Sequence, residues 1–280
     1  MPGLAFSYDG GHPDMAAHVL PLVDYLEVSP DALTDASGSD LRLHEPSLRE
    51  LLSYQPDVQY LVHGVGLSLA SPEGYSRRYV EVLDQCLLAL NPIWHSEHLA
   101  YTHVDGDSLG TMLPVPRTRE ALDLVVARVR EIQARFPLPF LLENVVSLLP
   151  DAPGDFSEAA FFNHVSAQTG CGLLLDAYNL YCDEVNGRLD LDAFLGELDL
   201  SRIREIHLAG GTKYRGWQVD VHSKPVPGPA LRIAADVLRR APNVLVVTYE
   251  LLEEAFDVMG TPAVVQEIAH LRSWLDAPPS

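Results

Sequence analysis

Short apolar runs recur along the whole chain, and most of them are followed by a segment whose apolar residues have helical spacing. The runs are nearly continuous rather than alternating, which is typical of parallel strands covered on both faces. The pattern therefore predicts an α/β protein. Its predicted strands cover residues 3–6, 24–29, 60–66, 92–99, 139–144, 172–176, 203–207 and 244–250.

Helices are predicted in the segments between these strands. Ser71, which precedes a proline, and Ser157 are predicted to be helix N-caps, because a serine hydroxyl accepts a hydrogen bond from the first turn. Residues 31–44, rich in Asp, Ser and Gly, are predicted to form a loop. The predicted helices cover about residues 14–22, 46–54, 71–90, 117–135, 157–170, 190–198, 229–240 and 262–275.

The succession of eight strands, mostly followed by helices, predicts a (β/α)₈ TIM barrel of the xylose-isomerase-like kind. We expect residues 1–280 to form a single domain, since no linker or low-complexity tract interrupts them. The alternative is a doubly wound open sheet. Its glycine-rich turn, G-x-G-x-x-G, is missing after the first strand, which favours the barrel.

The net charge argues against one class of function. The formal charge of −20 argues against a nucleic-acid partner, because phosphate binding needs clustered lysine and arginine. Part of the acidic excess is expected to surround cations.

The three cysteines lack CxxC spacing and are expected to be reduced and buried. No apolar run reaches the roughly 20 residues of a membrane span, and no signal peptide is recognisable, so a cytoplasmic location is expected.

Six successive strands end in side chains that bind metals. In such barrels the chemistry lies at the carboxyl ends of the strands, where these side chains would meet. A single histidine at a strand end is usually structural, but six strands ending this way indicate a metal site. The loops after the sixth and seventh strands add further residues of the same kind. The candidate ligands are His63, His98, Glu143, Asp176, Asn179, His207, Asp220, His222 and Glu250.

The size and chemistry of this set constrain the metal. A catalytic zinc takes three protein ligands and a structural zinc four, so nine candidates suit two or three ions with bridging carboxylates. Imidazoles mixed with carboxylates suit iron, manganese or zinc. The G-x-S-x-G, P-loop and HExxH motifs of competing chemistries are absent.

The segments around these residues resemble the DUF692 family, also called UPF0276 and known as multinuclear non-haem iron-dependent oxidases. The resemblance implies a barrel that holds two or three iron ions and uses O₂ to modify residues, commonly cysteines, of ribosomally made precursor peptides. A companion recognition protein often assists such enzymes. The matching segments are HGVGLSLAS (63–71), SEHLAYT (96–102), LLEN (141–144), TGCGLLLDAYNLY (169–181), EIHLAGG (205–211) and DVHSKPVP (220–227).

The resemblance carries the family's metal ligands onto all nine candidates, and catalytic roles onto His63, His98, Glu143, Asp176, His207 and Glu250. The chain also departs from the family pattern. Ser29-Pro-Asp-Ala replaces a His-Pro-Glu-Asn type of segment, and Gly211 stands where relatives usually have histidine. Strand eight reads TYELL where relatives often have a Glu-Trp-Asp type of ending. These departures leave the substrate and the exact reaction open.

Three other functions compete with this interpretation. A sugar isomerase or epimerase would use manganese or magnesium, but four histidines are more than such hard cations usually take. A three-zinc endonuclease is opposed by the charge. A non-catalytic barrel that binds a peptide or partner has no need of nine metal-competent residues at one rim.

Overall fold

The computed structural model of the chain describes residues 1–35, 42–105, 107–147, 149 and 153–277. Eight parallel strands form a closed barrel in which each strand pairs with its neighbours in sequence and β8 pairs with β1. This confirms the predicted TIM barrel. The strands are β1 (Gly3–Ser7), β2 (Tyr25–Val28), β3 (Gln59–Gly64), β4 (His95–His98), β5 (Phe140–Glu143), β6 (Gly172–Asp176), β7 (Ile203–Leu208) and β8 (Val246–Tyr249).

The helices pack around the barrel, and their apolar faces form the main core with the outward-facing strand residues. Short 3₁₀ turns at Leu20–Leu22 and Leu200–Arg202 precede β2 and β7. The helices are α1 (Pro13–Val19), α2 (Glu45–Ser53), α3 (Arg77–Leu90), α4 (Arg119–Arg135), α5 (Glu158–Thr169), α6 (Ala177–Val185), α7 (Leu191–Glu197), α8 (Gly228–Arg240), α9 (Glu253–Met259) and α10 (Thr261–Asp276).

A second, smaller core fills the interior of the barrel. Six apolar side chains contributed by or adjoining the barrel strands pack together there, and each is at most 2% exposed. Because strand side chains alternate between the two faces, the residues two positions further along each strand also point inward, at the carboxyl end. The six residues, which we call the interior plug, are Ala5, Leu61, Trp94, Leu141, Leu174 and Val246.

Three helices differ from the prediction. Helix α3 begins at Arg77 and not at Ser71, with Ser76 as its N-cap. The Ser71 hydroxyl instead donates to His103 O, and Gly74 has a φ of +95°, which no right-handed helix contains. Helix α6 was not predicted because it follows β6 without a loop, with Asp176 as N-cap. Helix α9 was not predicted either.

Loops predicted at the carboxyl end also contain short antiparallel hairpins. Ala100–Val104 pairs with Asp107–Pro114 in a segment that we call the rim hairpin. Thr212–Tyr214 pairs with Trp217–Val219 in the loop after β7. In the predicted loop at 31–44, two-residue strands pair at 34–35 and 42–43, while residues 36–41 lie outside the described part.

All three cysteines are buried and unpaired, as expected for reduced thiols. Among the described residues, no helix has the length and apolar character needed to cross a lipid bilayer.

Candidate metal centre

Strand register brings the candidate ligands side by side. His98 on β4 lies opposite Glu143 on β5, and Asp176 on β6 lies opposite His207 on β7. His63 on β3 faces Ser96 on β4 in the same way. The sequence places these residues at strand ends, and closure of the barrel turns them toward one another inside the rim.

Glu143 connects the two sides of the cluster. Its Oε2 atom lies 3.1 Å from His63 Nε2 and 3.0 Å from His98 Nε2. Its Oε1 atom lies 3.4 Å from His207 Nδ1. Two atoms held about 2.1 Å from one ion are about 3.0–3.4 Å apart at octahedral or tetrahedral angles. These separations therefore fit ligands that share an ion.

A second group lies around His207. Glu250 Oε2 is 2.9 Å from His207 Nδ1, and one ligand atom each from Glu143, Asp176, His207 and Glu250 lie within 4.8 Å of one another. His63, His98 and Glu143 form another such group. Glu143 belongs to both groups, which suits a bridging carboxylate.

The remaining three candidates adjoin this second group. His222 Nδ1 is 3.3 Å from Glu250 Oε1, and His222 Nε2 is 2.6 Å from Asp220 Oδ1. Asn179, in the first turn of α6, donates its backbone N–H to Asp176 Oδ1 at 2.6 Å. All nine candidates therefore lie in one connected cluster.

Several buried atoms of the cluster lack hydrogen-bond partners among the described residues. His63 Nε2 and His222 Nε2 approach carboxylates closely but without hydrogen-bond alignment. Orphaned buried polar atoms are rare in folded proteins because desolvation without a partner is costly. Metal ions would satisfy them. The atoms are His63 Nε2, both Oε atoms of Glu143, Asp176 Oδ2, Asn179 Oδ1, Asp220 Oδ1 and His222 Nε2.

Outer hydrogen bonds set the orientation of two histidines. His98 Nδ1 lies 3.2 Å from Gly64 O, which can only accept, so Nδ1 carries the proton. His63 Nδ1 lies 2.9 Å from the Ser96 hydroxyl, which itself donates to Val62 O. Both imidazoles are therefore oriented with Nε2 toward Glu143, as in metal-binding histidines. Ser96 was not predicted from the sequence, because its contact with His63 depends on strand register.

Glu27 on β2 is a further buried carboxylate of the cluster, and the sequence analysis missed it. It is 2% exposed, and its Oε2 atom lies 3.2 Å from His207 Nε2. Glu27, His63 and His207 form a third group of atoms within ligand distance. The available signal was an acidic residue between Leu26 and Val28, inside an otherwise apolar strand.

The shifted pKa values of three residues show that the cluster attracts positive charge. Burial alone would raise the pKa of Glu143, but the His98 and His63 imidazoles hold it well below its usual range. Burial opposes protonation of His207, yet carboxylates around it, Glu27 foremost, raise its pKa well above the usual value. Burial and the Asp220 carboxylate raise the pKa of Asp176 well above its usual value. Protons therefore stand where cations would bind, and metal binding would displace them.

The two loop segments that differ from the family pattern, at Gly211 and at Ser29–Asp31, make specific contacts at the rim of the barrel. A Cβ at Gly211 would lie 2.4 Å from Val219 O and 2.6 Å from Tyr178 Oη, so a larger residue would displace the hairpin after β7. Ser29 N donates to Asp9 Oδ1 at 2.6 Å. Asp31 Oδ2 accepts from Val65 N at 2.8 Å. The Ser29–Asp31 segment thus ties together the loops after β1, β2 and β3.

Two cavities reach the cluster. One, of about 410 Å³, is lined by residues at the carboxyl ends of β1, β2, β3 and β8 and in the loops that follow them, and we call it the acidic cavity. The other, of about 420 Å³, lies between the rim hairpin, the loop after β5 and the Val219–Asp220 segment, and we call it the apolar cavity. His63 and Glu250 line the first, and Asn179 and Asp220 line the second.

Comparison with known proteins adds independent information. The family model described as RiPP precursor modification enzyme MbnB/TglH/ChrH matches residues 6–276. A UPF0276 protein of Anaeromyxobacter sp. (strain Fw109-5) is 33% identical over 222 residues, which cover 79% of this chain and 76% of that protein. A UPF0276 protein of Rhizorhabdus wittichii is 37% identical over 169 residues, 60% of each chain. The match thus spans less than two thirds of the second relative.

Solved structures share the fold at low sequence identity. A xylose isomerase domain containing protein from Salmonella typhimurium LT2 superimposes with a TM-score of 0.62 at 11% identity, covering 97% of this chain and 96% of the other. An L-ribulose 3-epimerase gives 0.60 at 14% identity, covering 99% and 94%. These similarities confirm the xylose-isomerase-like barrel.

Proposed function

Because the chain belongs to the MbnB/TglH/ChrH family of RiPP precursor modification enzymes, we propose that it is a multinuclear iron-dependent oxidase. In this proposal it uses O₂ to modify a residue of a ribosomally synthesised precursor peptide, with cysteine as the expected target. Two or three iron ions would be bound per chain. A companion peptide-recognition protein is the proposed partner.

One observation carries the proposal: a connected, buried cluster of imidazoles and carboxylates in which seven side-chain atoms of candidate ligands lack hydrogen-bond partners among the described residues. A peptide-binding scaffold would gain nothing from so many desolvated polar atoms. A mixed nitrogen and oxygen set without thiolates suits iron.

The overlapping groups suggest how the ligands would be divided. His63, His98 and Glu143 would hold one ion, and Glu143, Asp176, His207 and Glu250 a second. Asp220 and His222 with Glu250, next to Asn179, would complete a third site. When bound, iron would supply Lewis acidity and the one-electron chemistry that reaction with O₂ requires.

The chain's own residues would orient and enclose this chemistry. Gly64 O and the Ser96 hydroxyl hold His98 and His63 with Nε2 toward the cluster. Glu27 accepts from His207 Nε2, which leaves Nδ1 facing Glu143 and Glu250. Burial of Glu143, Asp176 and His207, each at most 1% exposed, excludes bulk water from the centre of the cluster.

The proposal is tested by O₂ consumption and by mass spectrometry of the peptide product. The substrate would be a cysteine-bearing peptide from a short reading frame next to the gene, supplied to iron-loaded protein. We expect O₂ uptake and a mass change at cysteine, both lost in His207→Ala. Catalysis of ketose epimerisation with manganese, and no oxidation, would support the isomerase or epimerase alternative. Peptide binding that His207→Ala leaves intact, without turnover, would support the scaffold.

A further inference from the structure

The acidic cavity has a strongly one-sided charge. Its described lining contains six carboxylates and no lysine or arginine. His63, which is 4% exposed and whose Nε2 has no hydrogen-bond partner, forms part of the wall nearest the cluster. At the outer edge, Glu253 lies 3.2 Å from His12 Nε2. The carboxylates belong to Asp9, Glu27, Asp31, Glu250, Glu253 and Glu254.

Burial and neighbouring negative charges disfavour the ionised form of two of these carboxylates, Asp9 and Asp31. Burial, and then the charges of Glu253 and Glu27, raise the pKa of Asp9 to about 7. Burial and the charge of Glu97 raise the pKa of Asp31. A cationic side chain entering this cavity would meet several carboxylates at once and would relieve the repulsion between them.

The apolar cavity has the opposite character. Aliphatic side chains and a methionine form most of its wall, and Asn179, 3% exposed with an unpartnered Oδ1, lies on the side of the cluster. Leu149 is 53% exposed there, which leaves an apolar surface open to solvent. The apolar lining includes Met112, Leu113, Val145, Val146, Leu149 and Val219.

We propose that the precursor peptide lies across the rim with a lysine or arginine side chain in the acidic cavity and an aliphatic side chain in the apolar cavity. The residue to be modified then lies between them, over the cluster. This inference rests on the proposed function, because it takes the occupant of both cavities to be the precursor peptide. It adds the flanking chemistry that selects the substrate.

The placement of the cavities supports a single bound segment. The acidic cavity is lined from β1, β2, β3 and β8, and the apolar cavity from the other half of the rim. Candidate ligands line both, His63 and Glu250 on one side and Asn179 and Asp220 on the other. An extended peptide, which advances about 3.3 Å per residue, would reach both with a few residues on either side of its central residue.

The test uses synthetic nine-residue peptides of Gly and Ser with a central Cys. One flank of the Cys carries Leu-Val or Ser-Ser, and the other carries Lys-Arg or Glu-Asp. Each combination is made twice, with the first flank on the N-terminal side of the Cys and with it on the C-terminal side. Binding to anaerobic, iron-loaded protein is measured by fluorescence anisotropy with the same dye on every peptide. We expect the peptide with Leu-Val and Lys-Arg to bind about tenfold more tightly than its Glu-Asp counterpart.

Two variants with matched controls assign each flank. Glu253→Gln/Glu254→Gln should abolish the preference for Lys-Arg, whereas Glu120→Gln/Asp123→Asn, which removes the same charge from exposed positions on α4, should not. Met112→Glu should abolish the preference for Leu-Val. Its control is Leu109→Glu on the same strand, since Leu109 does not line the cavity.

The outcomes separate this inference from the proposed function. Equal affinity for all peptides, binding of none, or preferences that the two cavity variants leave unchanged would overturn the inference. If the preferences hold but no peptide supports O₂ consumption, the peptide assignment stands and the oxidase proposal fails. If O₂ is consumed equally with every flanking sequence, the oxidase proposal stands and this inference fails.

Discussion

The interior plug and the candidate metal cluster lie on the same strands, two residues apart. Leu61 precedes His63 by two positions, Leu141 precedes Glu143, and Leu174 precedes Asp176. Both layers point into the barrel and both are buried. The interior plug, the lower layer, fills its buried space with apolar contacts. The candidate metal cluster, the upper layer, leaves buried polar atoms without hydrogen-bond partners.

The interior plug and the candidate metal cluster therefore have separate tasks. Apolar packing in the plug stabilises the closed barrel whether or not a ligand is bound. The upper layer costs stability unless cations compensate its carboxylates. The division matches the general rule that such barrels are stabilised at the bottom and carry function at the top.

The largest expected effect is the loss of metal in Glu143→Gln. This carboxylate lies between His63, His98 and His207, so its removal should affect two ion sites together. We expect metal affinity to fall by more than the roughly 10–100-fold typical of losing an outer partner. Equilibrium dialysis against iron(II) measures it. Unchanged metal content would contradict the bridging role.

The reciprocal change in the plug is Leu174→Ala. It removes buried methyl groups from the interior core, and we expect the free energy of unfolding to fall by about 2–5 kcal/mol. Denaturant titration measures the loss. Metal content per folded chain should stay the same, in contrast to Glu143→Gln. If Leu174→Ala loses metal while its stability is unchanged, the two layers are not separate.

A smaller effect is expected at the hydroxyl that supports His63. Ser96→Ala removes the acceptor of the His63 Nδ1 proton and should weaken metal binding about 10–100-fold. Ser166→Ala is the matched control, since that buried hydroxyl donates to Cys171 O away from the cluster. Equal metal affinity in the two variants would show that the Ser96 hydroxyl does not support His63 as a metal ligand.

The smallest effect concerns the metal-free protein. The raised pKa of Asp176 means that its ionised form destabilises the fold at neutral pH, and that stability returns as the pH falls through the raised pKa. Asp176→Asn keeps a good N-cap for α6 while removing the charge. We therefore expect its melting temperature with chelator at pH 7 to rise by a few degrees.

A matched variant controls for the loss of a buried carboxylate as such. Asp183 accepts from Ser147 N with both oxygens, so Asp183→Asn should lower the melting temperature. A lower melting temperature for metal-free Asp176→Asn as well would show that charge repulsion does not dominate at this site.

Much of the fold followed from local pattern. Near-continuous apolar runs such as Leu173–Leu175 indicated parallel strands, and Ser157 was confirmed as the N-cap of α5. Helix α6 was missed because Asp176 ends a strand and caps a helix at the same residue. Periodicity cannot separate two elements that share a boundary.

The site was predictable where a residue type was conspicuous at a strand end. His63, His98 and His207 met that condition, and closure of the barrel brings them together. Glu27 and Ser96 did not, because their contacts depend on which strands are neighbours and in what register. The sequence alone does not show which strands pair or in what register, so it cannot supply that information.

Iron binding by the candidate cluster is tested most directly by elemental analysis of protein purified without oxygen from iron-supplemented cells. We predict two to three irons per chain, since the candidate ligands form overlapping groups rather than one site. A folded protein that contains no iron under these conditions, whether empty or holding about two zinc or manganese ions, would contradict it.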